Sequence, residues 1–184
     1  MSAFFLAFLA TALVIASGRD ALLVARLSQA LHRAPGLHVA IVLAAVVLGA
    51  LPVWLAGSVA EHLDGAAGRL FVALALLVAG AELLVLRAFP TPAEPTYSTI
   101  ATALVLAVRL VSGASGFLLL ALAARGTGPA VFTAAGGLLG ALAVLPVAAI
   151  AGDDWEILPL HIVRPSLGLA LLTAGVVIGW GALF

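Results

Sequence analysis

Apolar stretches of about 20 residues, the length a helix needs to cross the hydrocarbon core of a bilayer, recur along this chain. They cover 3–27, 38–59, 69–88, 98–122, 130–151 and 164–183. A soluble domain is roughly half apolar and one quarter charged. This chain is 65% hydrophobic and 9% charged, with a mean hydropathy of +1.30. Its apolar residues outnumber the positions that one soluble core of this size could hide, so lipid must cover the remainder. The fold class expected is an all-α integral membrane protein of six transmembrane helices, a single membrane domain over 1–184, with the lipid bilayer as its first partner.

The connections SQALHRAPGL, EHLDGAAG, FPTPAEPTY, ARGTG and GDDWEILPLHIV hold no folded domain and make successive helices antiparallel neighbours. Pro90, Pro92 and Pro95 cannot continue a helix and separate three spans from three. An offset of 95 residues aligns RLFVALALLVAG (69–80) with RPSLGLALLTAG (164–175), matching Arg69 with Arg164 and Gly80 with Gly175. The same offset pairs Ser17 with Ser112 and Gly18 with Gly113. A duplication accounts for these matches, with repeats over 1–89 and 97–184. Three spans per repeat are an odd number, so the second repeat is expected to insert upside down, the inverted-repeat plan that secondary transporters use to place a site near the midplane. The same duplication could also serve only to build a stable bundle.

Balanced charge excludes a nucleic-acid partner: eight acidic residues offset eight basic ones, all Arg, leaving no basic patch for a phosphate backbone. Cysteine is absent, which removes disulfides and Cys-ligated metals. The first apolar run has no positive residue before it, so it reads as the first span and not as a removable signal. That reading and the compact loops point to a bacterial inner membrane. His32, His38, His62 and His161 stand in or beside loops without metal-ligand spacing. No nucleophile motif is present, so neither an enzyme nor a bound cofactor is expected.

Ionisable residues at membrane depth cost about 2.5–3.5 kcal/mol each on insertion scales, which makes Arg19, Asp20, Glu82 and Arg109 the informative ones. Their charges sum to zero. They can line a polar cavity in which Asp20 or Glu82 binds a cation or proton and Arg109 gates it, or they can pair off as static glue between helices. Ser17-Gly18 and Ser112-Gly113-Ala114-Ser115-Gly116 lie at matching depths, where glycine weakens a helix and serine hydroxyls can coordinate an ion. Pro52 and Pro146 follow the paired Gly49 and Gly140, predicting related kinks.

The run FLATALVIASGRDALLVARLSQALHRAP followed by VLGALPVWLAG, and its partner RLVSGASGFLLL followed by GPAVFTAAGGLLGALAVL, resemble the Gdt family of manganese/calcium cation exchangers. That family carries E-x-G-D-[KR]-[ST] in the first helix of each of two inverted repeats, and its motif acids bind the transported cation. Gly18 and Gly113 match the motif glycines. The family's Glu positions fall here on Ala16 and Val111, and its Asp positions on Arg19 and Ala114. The resemblance therefore implies a cation/proton exchanger with a relocated site at Ser17, Gly18, Arg19, Asp20, Glu82, Arg109, Ser112, Gly113 and Ser115, or a scaffold that kept the fold and lost the transport.

Overall fold

A computed structural model of the chain describes residues 2–32, 34–63, 65–85, 98–126 and 128–183. The Pro-rich connection with Pro90, Pro92 and Pro95, together with Arg33 and Arg87, lies outside the described residues. Those residues form α1 (Ser2–Ser17), α2 (Arg19–Ala30), α3 (Pro35–Ala60), α4 (Gly65–Val85), α5 (Thr99–Ser112), α6 (Ala114–Arg125), α7 (Ala130–Ala151), a short 3-10 helix (Gly152–Ile157) and α8 (Leu160–Leu183). No strand occurs among them. Leu- and Ala-rich runs favour helix intrinsically, and in lipid only a helix satisfies every backbone group of an isolated segment.

Two of the expected spans are broken. The first bends by 59° between α1 and α2, and the fourth by 56° between α5 and α6. At both breaks one glycine is extended, Gly18 with φ −79° and ψ −178° and Gly113 with φ −86° and ψ −177°. These angles are open to any residue, so close approach is what selects glycine. A Cβ on Gly18 would stand 2.6 Å from the carbonyl oxygen of Val14, and one on Gly113 2.9 Å from that of Arg109. The preceding serines behave alike, Ser17 Oγ donating to the Leu13 carbonyl and Ser112 Oγ to the Val108 carbonyl, each at 2.6 Å. Such back-bonding bends helices.

Small residues decide how the helices pack, as expected where lipid tails compete with side chains for every apolar contact. α1 lies along α7, with Gly140 against Phe8 and Thr11; α4 runs antiparallel to α8, with Gly80 against Gly168 and Leu172 and Gly175 against Ala73 and Leu77. α3 packs on both α5 and α7, and Gly49 sits over Ala134 and Leu138. The buried centre gathers Val24, Ile41, Leu48, Leu106, Leu110 and Leu145 from α2, α3, α5 and α7. Outside it Leu9, Leu104, Val108, Leu169 and Val177 are exposed, an arrangement that water would penalise and hydrocarbon does not.

Four helices are individually long and apolar enough to cross a membrane, and six spans result if each bent pair counts as one. Pro52 and Pro146 fall inside α3 and α7. One edge differs materially from the sequence reading: α8 begins at Leu160, not at 164, because the connection after α7 turns through the 3-10 helix and re-enters helix early. Arg164 therefore stands inside α8, one turn past its start.

The glycine contacts generate the first test. Gly80→Val would drive a branched side chain into the Gly168 carbonyl at 2.7 Å and Leu172 at 2.8 Å, and overpacking of this kind costs about 1–3 kcal/mol. Gly57 has open space around it, so Gly57→Ala should leave stability unchanged or raise it slightly by helix propensity. Unfolding of both variants in detergent, followed by circular dichroism, should show a lower midpoint for Gly80→Val alone.

Candidate functional site

The two helix breaks meet at one carboxylate. Glu82, on α4, accepts a hydrogen bond at Oε2 from the backbone N–H of Ala114, 2.7 Å away. Its Oε1 lies 3.2 Å from a guanidinium nitrogen of Arg19. Ala114 opens α6 and Arg19 opens α2, so a single side chain from a third helix touches the first residue after each break. At α6 the carboxylate fills the role of an N-cap, meeting an otherwise orphaned N–H where the helix dipole favours negative charge. A Cβ at Gly113 would stand 3.7 and 3.8 Å from the two carboxylate oxygens, an ordinary contact, so the Arg109 carbonyl and not Glu82 is what crowds this position.

Around this bridge stand the other charges. Asp20, in the first turn of α2, is half-buried and lies within electrostatic reach of Glu82, Arg19 and Arg109. Arg164 crosses from α8 to α4, donating from Nε to the Leu83 carbonyl at 2.8 Å, and it feels both Arg19 and Glu82. The centre thus holds three Arg and two carboxylates and a formal charge of +1. Arg164, which the sequence puts at the start of the last span, thus joins the four charges that the sequence singled out. Its repeat partner Arg69 lies exposed on α4 and does not mark the site.

The remaining candidates divide. Ser17 and Ser115 are buried and Ser112 is exposed. All three hydroxyls donate to carbonyls of their own chain segment, with Ser115 reaching across the break to Leu110 at 3.0 Å. Arg109 is half-buried in the last turn of α5. Among the described residues no three His, Asp or Glu side chains gather where they could hold a metal ion. Away from the centre, Arg26 of α2 pairs with Glu156 of the 3-10 helix at 2.7 Å, and Gln29 packs over Gly152. Asp153 and Asp154 are exposed.

No family model, curated protein or solved structure matches this chain. Its own helices identify its class. It is an all-helical chain with several helices long and apolar enough to span a bilayer, consistent with a multi-pass membrane protein.

The Glu82 bridge predicts strong coupling. Glu82→Leu leaves Arg19 without this partner and the Ala114 N–H without its acceptor, and removing one member of a buried pair costs about 3–5 kcal/mol. Adding Arg19→Leu should recover part of that loss, giving a coupling of about 0.5–3 kcal/mol in a double-mutant cycle. Denaturation midpoints of the two single variants and the double variant in one detergent provide the check.

Proposed function

We propose that this protein is a secondary transporter of the bacterial inner membrane. In this reading it is built from two inverted three-helix repeats, 1–89 and 97–184, and moves a small ion or solute past the two helix breaks. The observation that carries the reading is the pair of matched interruptions, Gly18 and Gly113, each extended, each preceded by a back-bonded serine, and joined through Glu82. Broken helices facing one polar centre are how secondary transporters expose backbone groups to cargo inside a bilayer. Contacts add support, because α1 packs on α7 as α5 packs on α3, while α4 meets α8 and α3 meets α7. A two-fold axis relating the halves requires that exchange of partners.

The chemistry of the centre favours proton coupling over manganese or calcium binding of the Gdt type. Calcium takes six to eight oxygen ligands, whereas this centre brings two carboxylates, one of them already engaged by Arg19 and the Ala114 N–H. A carboxylate in an ion pair can instead exchange its Arg partner for a proton, and loss of the Arg19–Glu82 contact would release α2 from α6. Asp20 and Glu82 are then the coupling groups, with Arg19 and Arg109 setting their field. The centre contains no His and no nucleophile–base pair, which favours transport over catalysis.

The second reading, a scaffold that kept the fold, is favoured by one feature: the network of Glu82 with Arg19 and the α6 terminus is closed and serves equally well as glue between helices. Flux measurements separate the two. Purified protein in liposomes, assayed for manganese, calcium and proton movement, should show ion-dependent proton flux. Glu82→Gln and Asp20→Asn should each lower it by about 100-fold or more, the lower range for loss of a positioned proton-transfer group. Absence of flux with every ion favours the scaffold, and flux unchanged in both variants places the pathway elsewhere.

A further inference from the structure

α1 packs along α7 and α8 along α4, and where α1 and α8 face each other they touch sparsely. The gap is a groove of about 500 Å³ walled by Leu13 and Ala16 of α1, Trp155 of the 3-10 helix, and Leu160, Val163 and Leu167 of α8. Leu13 and Leu167 also wall a second cavity of about 290 Å³ between α1, α4, α6 and α8. The groove lies within the size range of small-molecule sites, about 300–1,000 Å³, and shares these two walls with the cavity beside it. It opens on a face where Leu9, Leu13 and Val163 are exposed, the surface that hydrocarbon covers in a membrane.

Two features at the inner end of the groove go beyond a lipid-filled gap. Ser17 lines it, and the chain continues directly into Gly18 and Arg19. Arg164 stands between the lining residues Val163 and Ser166, within electrostatic reach of Arg19. Neither Arg lines the groove itself; they lie two positions beyond Ser17 and one beyond Val163, engaged by Glu82 and the Leu83 carbonyl, in a centre whose described charges sum to +1. Independently, Trp155 lines the groove, is nine-tenths buried, and its indole N–H has no hydrogen-bond partner among the described residues. Buried donors without acceptors are rare, and a ligand oxygen would supply one.

We propose that this groove binds one acyl chain of an anionic bilayer lipid, with the lipid headgroup drawn to Arg19 and Arg164. Charge selects the headgroup, because an anion offsets the repulsion between the two guanidiniums, while the apolar walls accept the chain. The position of Arg164, one turn into α8, suits a headgroup lying near the membrane surface with its chain running inward toward Leu13 and Leu167. The proposal is independent of whether the protein transports anything.

Trp155 is the reporter. Trp54 and Trp180 are exposed, so a protein carrying Trp54→Phe and Trp180→Phe keeps only the buried indole of Trp155, whose neighbourhood is the groove. Reconstituted into vesicles of acyl-brominated phosphatidylglycerol or phosphatidylcholine, it should be quenched when a chain enters the groove. At equal mole fraction the anionic lipid should be preferred by about fivefold, the worth of one Arg near an anionic lipid surface. Arg164→Gln should abolish the preference and leave the quenching. Ala16→Phe or Ser166→Phe, two separate ways of filling the groove in case one fails to fold, should remove the quenching itself. Trp155 unquenched by either lipid, quenched equally by both, or quenched as before in both filled variants would each overturn the proposal.

Discussion

A helix broken inside hydrocarbon must find partners for the backbone groups it frees, because no water is at hand and each orphan costs several kcal/mol. Here the rest of the centre is organised around that requirement. Glu82 meets it for α6 by accepting from the Ala114 N–H, and its second oxygen draws in Arg19 from the first residue of α2. A carboxylate buried without such partners is costly, and this one is a polar link between the two breaks. The cost of each feature is offset by the other.

The bridge is asymmetric although the breaks are alike. The offset that pairs Gly18 with Gly113 places Val177 opposite Glu82, and Val177 is exposed on α8. Only one half supplies this acid, and it caps α6 from α4. The excess of guanidinium over carboxylate follows from the same asymmetry, since Arg164 enters from α8. Two like breaks therefore share a single, unequal set of charges.

Packing around the centre relies on absence of side chains. Gly80, Gly140 and Gly49 let backbones approach until a methyl group would collide, which is the strongest attraction available to helices in lipid. α8 uses this with α4 and leaves its opposite face open, so the groove beside α1 is a consequence of which glycines face which helix. The 3-10 helix closes one end of that groove, held to α2 by Arg26 with Glu156 and by Gln29 over Gly152.

Hydropathy alone located the apolar helices, because the length of a membrane helix is written into consecutive residues, and the serine–glycine pairs marked where two breaks fall. The charges at depth were also legible as exceptional, since Arg19, Asp20, Glu82 and Arg109 interrupt runs that are otherwise apolar. Which of them touch was not legible. Glu82 and Ala114 are 32 positions apart and Arg164 and Leu83 are 81 apart, and no local pattern encodes the rotation of α4 or α8 about its axis. That Arg164 joins them was not legible for the same reason, since its contact with Leu83 depends on how α8 docks on α4. Sequence by itself determined that several helices are long and apolar enough to span a bilayer and where two of them weaken, because those properties are sums over neighbouring residues. Only the tertiary structure decided that both weak points close on one carboxylate and that α1 and α8 part to leave a groove, because those depend on which helix faces meet.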